Sequence, residues 1–190
     1  MDWRFRKWVG GLIPLKKFVY LISPKKINKK FYNNLDSVLS YGNVKFFQLR
    51  LKNVSTSSLL KISNTIRKIT LKHKVKLIIN DNLFVAVKAK ADGCHIGQFD
   101  GSVKDAKKIL KKRILGVTCH NSKNLAKKAI KDKADYLAFG SFFKSKLKPN
   151  AVKASLNILI WAKSNIKKPI VAIGGINNFN YKRLIKSGAK

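Results

Sequence analysis

The stretch NVKFFQLRLKN, residues 43 to 53, opens as an apolar strand and ends in polar and cationic side chains. In an extended chain successive side chains point to opposite faces, so Gln48, Arg50 and Lys52 share one face while Leu49 and Leu51 share the other. Two readings follow. The stretch is an edge strand with a solvated face, or its polar face is aimed into a pocket that other parts of the chain also supply. The rest of the sequence has to decide.

Outward from that stretch, short β-rich runs alternate with longer helical ones. The candidate strands are FVYLIS (18–23), VKFFQLRLK (44–52), VKLIIND (75–81), GCHIG (93–97), ILGVTCH (114–120), YLAFGSFF (136–143) and PIVAIGGI (169–176). Between them lie helical patterns such as STSSLLKISNTIRKITLKHK, SVKDAKKILKKR, NSKNLAKKAIKDK and ASLNILIWAKS. Several of these begin with Ser or Asn, the residues that accept hydrogen bonds from the first free amides of a helix. Strand, helix and strand at this spacing predict parallel βα units. The stretches AKADGCHIG and DKADYLAFG form a weak internal repeat, each placing Ala-Asp just before a strand.

Seven such strands suit an open doubly wound sheet or a (β/α)8 barrel. The polar residues favour the barrel, because nearly every strand carries chemistry at its C-terminal end: Gln48, Arg50 and Lys52; Asn80 and Asp81; Gln98 and Asp100; Thr118 and His120; Ser145 and Lys148; Gly174 and Gly175. In a parallel barrel those ends meet on one rim, where the active site sits. Arg50 and Lys52 then face a shared pocket.

Composition limits the alternatives. A 190-residue chain with 45% hydrophobic residues suits one domain, 1–190, in which residues 1–17 form an N-terminal helical extension over a barrel end rather than a signal peptide. No run approaches the roughly 20 apolar residues of a membrane-spanning helix. Cys94 and Cys119 make no CxxC pair and no disulfide framework, which fits a reducing, cytoplasmic setting. The chain carries 42 Lys+Arg against 8 acids, a formal charge of +34, which invites a nucleic-acid partner. Yet only six cations are Arg, the lysines spread over every helical pattern, and no aromatic RNA-binding motif or zinc-finger spacing is present, so no specific nucleic acid is expected. All eight acids are Asp, and carboxylate chemistry therefore rests on Asp2, Asp36, Asp81, Asp92, Asp100, Asp105, Asp132 or Asp135.

Taken in order and spacing, QLRLK, IIND, HIGQFD, GVTCH, a Lys-containing loop after FGSFF, and AIGGI resemble the thiamine-phosphate synthase family of the synthase and TenI-like superfamily, over residues 44 to 189. The resemblance implies a TIM barrel and a transferase of thiamine biosynthesis. Its small-molecule substrates would be hydroxymethylpyrimidine diphosphate and thiazole phosphate, with release of pyrophosphate. It implies Mg2+ on Asp81 and Asp100, with Gln48, Arg50, Lys52 and Asn80 on the diphosphate substrate and Thr118 near the pyrimidine. Ser145, Lys148, Gly174 and Gly175 would serve the thiazole phosphate. Arg50, Lys52 and Thr118 are the residues it marks as catalytic. Displacing pyrophosphate builds charge on a leaving group, which is why a bidentate Arg, a Lys and a metal suit the task.

Other readings stand beside these. Asp81 could cap the helix that follows it, His95 reads as a packed or hydrogen-bonded core residue, Cys119 as a small core filler, and His73 as a surface residue at a helix end. His120 would serve a synthase or a TenI-like tautomerase equally. The loop KSKLK (144–148) has Lys144 and Leu147 where the family commonly has Pro and Thr, and Phe99 stands where an acid is frequent. A TenI-like thiazole tautomerase, an inactive precursor-binding paralogue and, in another class, a basic nucleic-acid-binding protein are the alternatives. The segment YKRLIKSGA (181–189) reads as the helix that normally delivers strand eight. The expected barrel therefore lacks its eighth strand in this chain, with a gap between the first and seventh.

Overall fold

The computed structural model describes residues 18–144 and 152–189. The expected N-terminal helical extension over 1–17 and the candidates Ser145 and Lys148 lie outside the described residues.

Among the described residues seven strands alternate with seven helices: β1 Val19–Ile22, α1 Lys29–Ser40, β2 Val44–Leu49, α2 Thr56–Lys72, β3 Lys76–Asn80, α3 Leu83–Lys88, β4 Gly93–Ile96, α4 Val103–Leu110, β5 Ile114–His120, α5 Lys123–Lys131, β6 Tyr136–Phe139, α6 Leu156–Asn165, β7 Ile170–Ala172 and α7 Tyr181–Lys186. All neighbouring strands pair in parallel, in chain order from β1 to β7. Every strand expected from the sequence is present. Two helices that the sequence reading did not single out, α1 and α3, complete the alternation. The second is six residues long, LFVAVK, and its β-branched content masks the helical period.

The caps explain where the helices begin. Asn28, Ser55, Asn82, Ser102, Ser122 and Ser155 each accept a hydrogen bond from a backbone N–H in the first turn. Each such cap contributes about 1 kcal/mol to its helix. Asn82, not Asp81, caps α3 through Val85 N–H at 2.8 Å, so the Asp81 carboxyl is not committed to the helix.

The sheet curls into a nearly closed barrel. The Oη atoms of Tyr20 on β1 and Tyr136 on β6 lie 2.6 Å apart, and the Tyr136 ring also packs 6.1 Å from Phe46 on β2. In a flat sheet β1 and β6 would be roughly 24 Å apart, five strand spacings of about 4.8 Å. The open doubly wound alternative is thereby excluded. Among the described residues β1 and β7 are the ends of the strand order and do not pair with each other, as expected of seven strands in an eight-strand geometry.

Strand alternation divides the core into two layers. Phe47, Leu49, Leu77, Ile79, Cys94, Ile96, Leu115, Val117, Cys119, Leu137 and Phe139 face outward onto the helices and form the larger cluster. Tyr136, Ala138 and Val171, with Tyr20, Ile114 and Ile173, fill the barrel interior. Both cysteines are free and buried in the outer layer, as a core-filling role for Cys119 requires. His73 departs from the surface reading: it ends α2, is only 13% exposed, and its Nε2 lies 2.6 Å from Asp36.

The Ala-Asp repeat proves to be a clamp at the N-terminal end of the strands. Asp92 precedes β4 and accepts from Leu77 N–H on β3 at 3.0 Å, from Lys76 at 3.0 Å and from Arg67 at 3.3 Å. Asp135 precedes β6 and accepts from Leu115 N–H on β5 at 2.8 Å and from Lys107. In both pairs the Asp N–H returns a bond to the same residue's carbonyl. Asp92→Ala removes the carboxylate that accepts from the partly buried Leu77 amide, Lys76 and Arg67, and is expected to cost about 1–3 kcal/mol. The check is a lower denaturant midpoint at unchanged slope, with turnover per folded molecule unaffected because the clamp sits at the end of the barrel away from the rim.

Candidate active site

The eight aspartates sort by position. Asp92 and Asp135 hold the bottom of the barrel, Asp36 pairs with Lys72 and His73 on the helical layer, Asp105 lies in the first turn of α4, and Asp132 ends α5. Asp2 lies outside the described residues. Asp81 and Asp100 remain, and they face each other at the C-terminal rim.

Asp81 follows β3 with φ +62°, a left-handed conformation that Asp tolerates better than most residues, and its N–H donates to the His95 carbonyl of β4 at 2.8 Å. Asp100 closes the loop after β4, its Oδ2 accepting from Gly97 N–H at 2.8 Å. Burial, then a hydrogen bond to Asp100 and the charge of that second carboxyl, push the Asp81 carboxyl up to about 6, while Lys52 and Arg50 pull it back. Groups from three successive loops, those after β2, β3 and β4, therefore share one patch of the rim. The charges of Arg50 and Lys52 act on this patch, although Lys52 itself is exposed.

The remaining candidates are distributed around it. Asn80 ends β3 opposite His95. Gln98 in the β4 loop donates to the Thr118 carbonyl on β5. Gln48 lies deeper than the rim: it is 4% exposed, and its Nε2 donates to Tyr20 Oη at 3.1 Å. Gly174 and Gly175, after β7, adopt φ of +97° and +62°. A Cβ on Gly174 would lie 2.0 Å from Ser141 Oγ, and one on Gly175 would lie 2.3 Å from the Lys144 carbonyl oxygen. Both glycines are thus required by close approach of the β6 loop as well as by φ, and Phe143 N–H donates to the Gly174 carbonyl at 3.1 Å to join the two loops.

Sequence reasoning missed one part of the site's foundation, a chain of polar side chains through the barrel interior. Tyr20 and Tyr136 connect Gln48 to His95, whose Nδ1 lies 2.8 Å from Tyr136 Oη and whose Nε2 lies 2.7 Å from Thr118 Oγ1. His95 is buried and hydrogen-bonded, as read from the sequence. The available signal was a phenol at an inward position of two apolar strands.

Fold and rim together define a parallel (β/α)-barrel enzyme with opposed carboxyls and cations at its C-terminal mouth. The chain belongs to the thiamine monophosphate synthase family, whose model matches residues 19–190. It is 55% identical over 175 residues to the thiamine-phosphate synthase of Pelagibacter ubique (strain HTCC1062), covering 92% of this chain and 84% of that protein. It is 39% identical to that of Erythrobacter litoralis (strain HTCC2594), over 90% of this chain and 83% of the relative. Among solved structures, the thiamine phosphate pyrophosphorylase from Pyrococcus furiosus superposes with a TM-score of 0.81 at 30% identity, covering 90% of this chain and 82% of that one. Among the described residues no helix is long and apolar enough to cross a membrane.

Proposed function

We propose that this chain joins hydroxymethylpyrimidine diphosphate to thiazole phosphate, releasing pyrophosphate and forming thiamine phosphate, in the cytoplasm. The observation that carries the reading is the meeting of Asp81, Asp100, Arg50 and Lys52 on one rim patch. In this reaction the bond from the pyrimidine methylene to the diphosphate breaks with its electron pair leaving on pyrophosphate. The thiazole nitrogen supplies the pair for the new carbon–nitrogen bond. Negative charge grows on the departing oxygens, so fixed cations stabilise the transition state more than the ground state. Arg50 grips the diphosphate with its planar fork, and Lys52 adds a compact point charge.

The donor set fits Mg2+. Two facing carboxyls, Asp81 and Asp100, supply hard oxygen ligands. Among the described residues no group of three or more His, Cys or Asp side chains encloses a metal, which leaves coordination positions for phosphate oxygens and water, as Mg2+ prefers. Bound there, Mg2+ would neutralise charge on the leaving pyrophosphate. Asn80 and Gln48 would contact the diphosphate substrate, Thr118 the pyrimidine, and Ser145, Lys148, Gly174 and Gly175 the thiazole phosphate.

Pyrophosphate release tests the reading. Incubated with Mg2+ and both substrates, the chain is expected to release pyrophosphate and thiamine phosphate in equal amounts, and neither when one substrate is withheld. Isomerisation of a thiazole phosphate without pyrophosphate release would place the chain with the tautomerases. Tight, structure-selective nucleic-acid binding with no turnover would favour the nucleic-acid reading, whereas weak binding that vanishes with salt follows from +34 alone.

A further inference from the structure

The hydrogen-bond chain through the barrel runs in one direction. The Gln48 amide nitrogen can only donate, and it donates to Tyr20 Oη at 3.1 Å. The single O–H of Tyr20 then goes to Tyr136 Oη, 2.6 Å away, and the O–H of Tyr136 goes to His95 Nδ1 at 2.8 Å. A nitrogen that accepts carries no proton, so the neutral imidazole holds its proton on Nε2 and donates it to Thr118 Oγ1 at 2.7 Å. The reverse direction would bring two donors onto the Tyr20 oxygen and leave its own O–H with no acceptor among the described residues.

We propose that Tyr20 and Tyr136 are positioning residues that hold His95 as its Nε2–H tautomer, so that Thr118, already accepting from His95, presents its own hydroxyl proton as a donor at the barrel mouth. Three further observations agree. Burial drives both phenols well above their ordinary range, so they remain protonated donors. The sequence also makes room for the relay: a Cβ on Gly116 would lie 1.9 Å from Tyr136 Cζ and 2.2 Å from its Oη, so only glycine on β5 admits the ring at this place. The Tyr136 ring also stacks on His95, with centroids 5.5 Å apart and planes 25° from parallel, which restrains the imidazole's orientation. The relay deepens the synthase reading, because a Thr118 that donates selects a substrate acceptor atom.

The chain has three histidines, so nitrogen-15 spectra of histidine-labelled full-length protein resolve each imidazole, with His95 assigned by His95→Gln. Wild type is expected to show His95 as the Nε2–H tautomer at neutral pH. Tyr136→Phe removes the donor to Nδ1, and His95 is expected to become a mixture of tautomers. Tyr20→Phe frees Tyr136 to turn and is expected to cause a smaller shift the same way, which keeps the test available should Tyr136→Phe fold poorly. In turnover, Tyr136→Phe is expected to lower kcat/KM for the pyrimidine diphosphate roughly tenfold, and Thr118→Val added to it is expected to cost far less than Thr118→Val in wild type. An Nδ1–H tautomer in wild type, a tautomer unmoved in Tyr136→Phe, or full additivity of the two substitutions would overturn the relay. The expected spectra in a protein that makes no thiamine phosphate would uphold the relay and remove the synthase reading, so the two failures are distinct.

Discussion

Asp81→Asn is expected to lower magnesium-dependent pyrophosphate release by roughly a hundredfold to a thousandfold, the range for losing one electrostatic contact to a transition state, while the folded protein becomes no less stable. Both halves follow from one environment. In the folded chain Asp81 has its carboxyl pushed up to about 6, chiefly by burial and then by Asp100. Its charged form is thus disfavoured by folding, and this group's contribution to stability is fully present below the ordinary carboxylate value and is lost as pH rises through about 6. At pH 7.5 the wild type carries that penalty. Asn has nearly the same shape, carries no charge and can donate to Asp100, so the penalty disappears. Mg2+ has the opposite pH dependence, because it binds the deprotonated pair and competes with the proton. The rise in melting temperature on adding Mg2+ is therefore expected to be largest above pH 7, to fade as pH falls through about 6, and to be small at every pH in Asp81→Asn. Thermal melts with and without Mg2+ at pH 5.5 and 7.5, beside a pyrophosphate assay, check all three expectations. Unchanged turnover in the variant would remove Asp81 from the metal site.

A carboxyl buried beside a second one is what a rim of converging loops produces, and that architecture explains which features could be seen in the sequence. The strands were legible because their apolar runs are short and bounded. Their order followed from helical patterns between them, and the rim from polar residues recurring at one end of each run. These are local signals of period 2 and 3.6. The α3 helix was not legible because only six residues, three of them β-branched or aromatic, carry no distinct period. The interior relay was not legible for a different reason: Tyr20 and Tyr136 are 116 positions apart, and nothing in either neighbourhood announces the other. Gln48 shows the same limit. Alternation put its side chain on the face of Arg50, but that face is barrel interior at Gln48 and open rim two residues later. The amide therefore meets a phenol, whereas the charge of the guanidinium acts on the Asp81 carboxyl. The Ala-Asp repeat was visible as a repeat, yet its meaning as a clamp required the neighbouring strand's N–H to be in place.

Gly174→Ala is expected to raise KM for thiazole phosphate at least tenfold and to lower the melting temperature more than the same change at Gly42, although both residues have positive φ. Gly42 follows α1 at φ +79° with nothing within 4 Å of an added Cβ, so Gly42→Ala isolates the backbone cost, about 1 kcal/mol. Gly174, at φ +97°, bears that cost and a clash that cannot be relaxed locally. Its added methyl would lie 2.0 Å from Ser141 Oγ and 2.7 Å from Ser141 Cα, so backbone must move as well as a hydroxyl. Overpacking of this kind typically costs a further 1–3 kcal/mol. The movement has one direction available: the β6 loop, which Phe143 N–H ties to the Gly174 carbonyl, must shift away from β7. That loop leads into Ser145 and Lys148, so the rim on this side opens, while Asp81, Asp100, Arg50 and Lys52 lie on loops after β2, β3 and β4 and keep their places. KM for the pyrimidine diphosphate is accordingly expected to change less than twofold. Equal losses for both substrates would mean that the barrel had loosened as a whole, and an unchanged thiazole-phosphate KM would remove the β7 loop from that substrate's site.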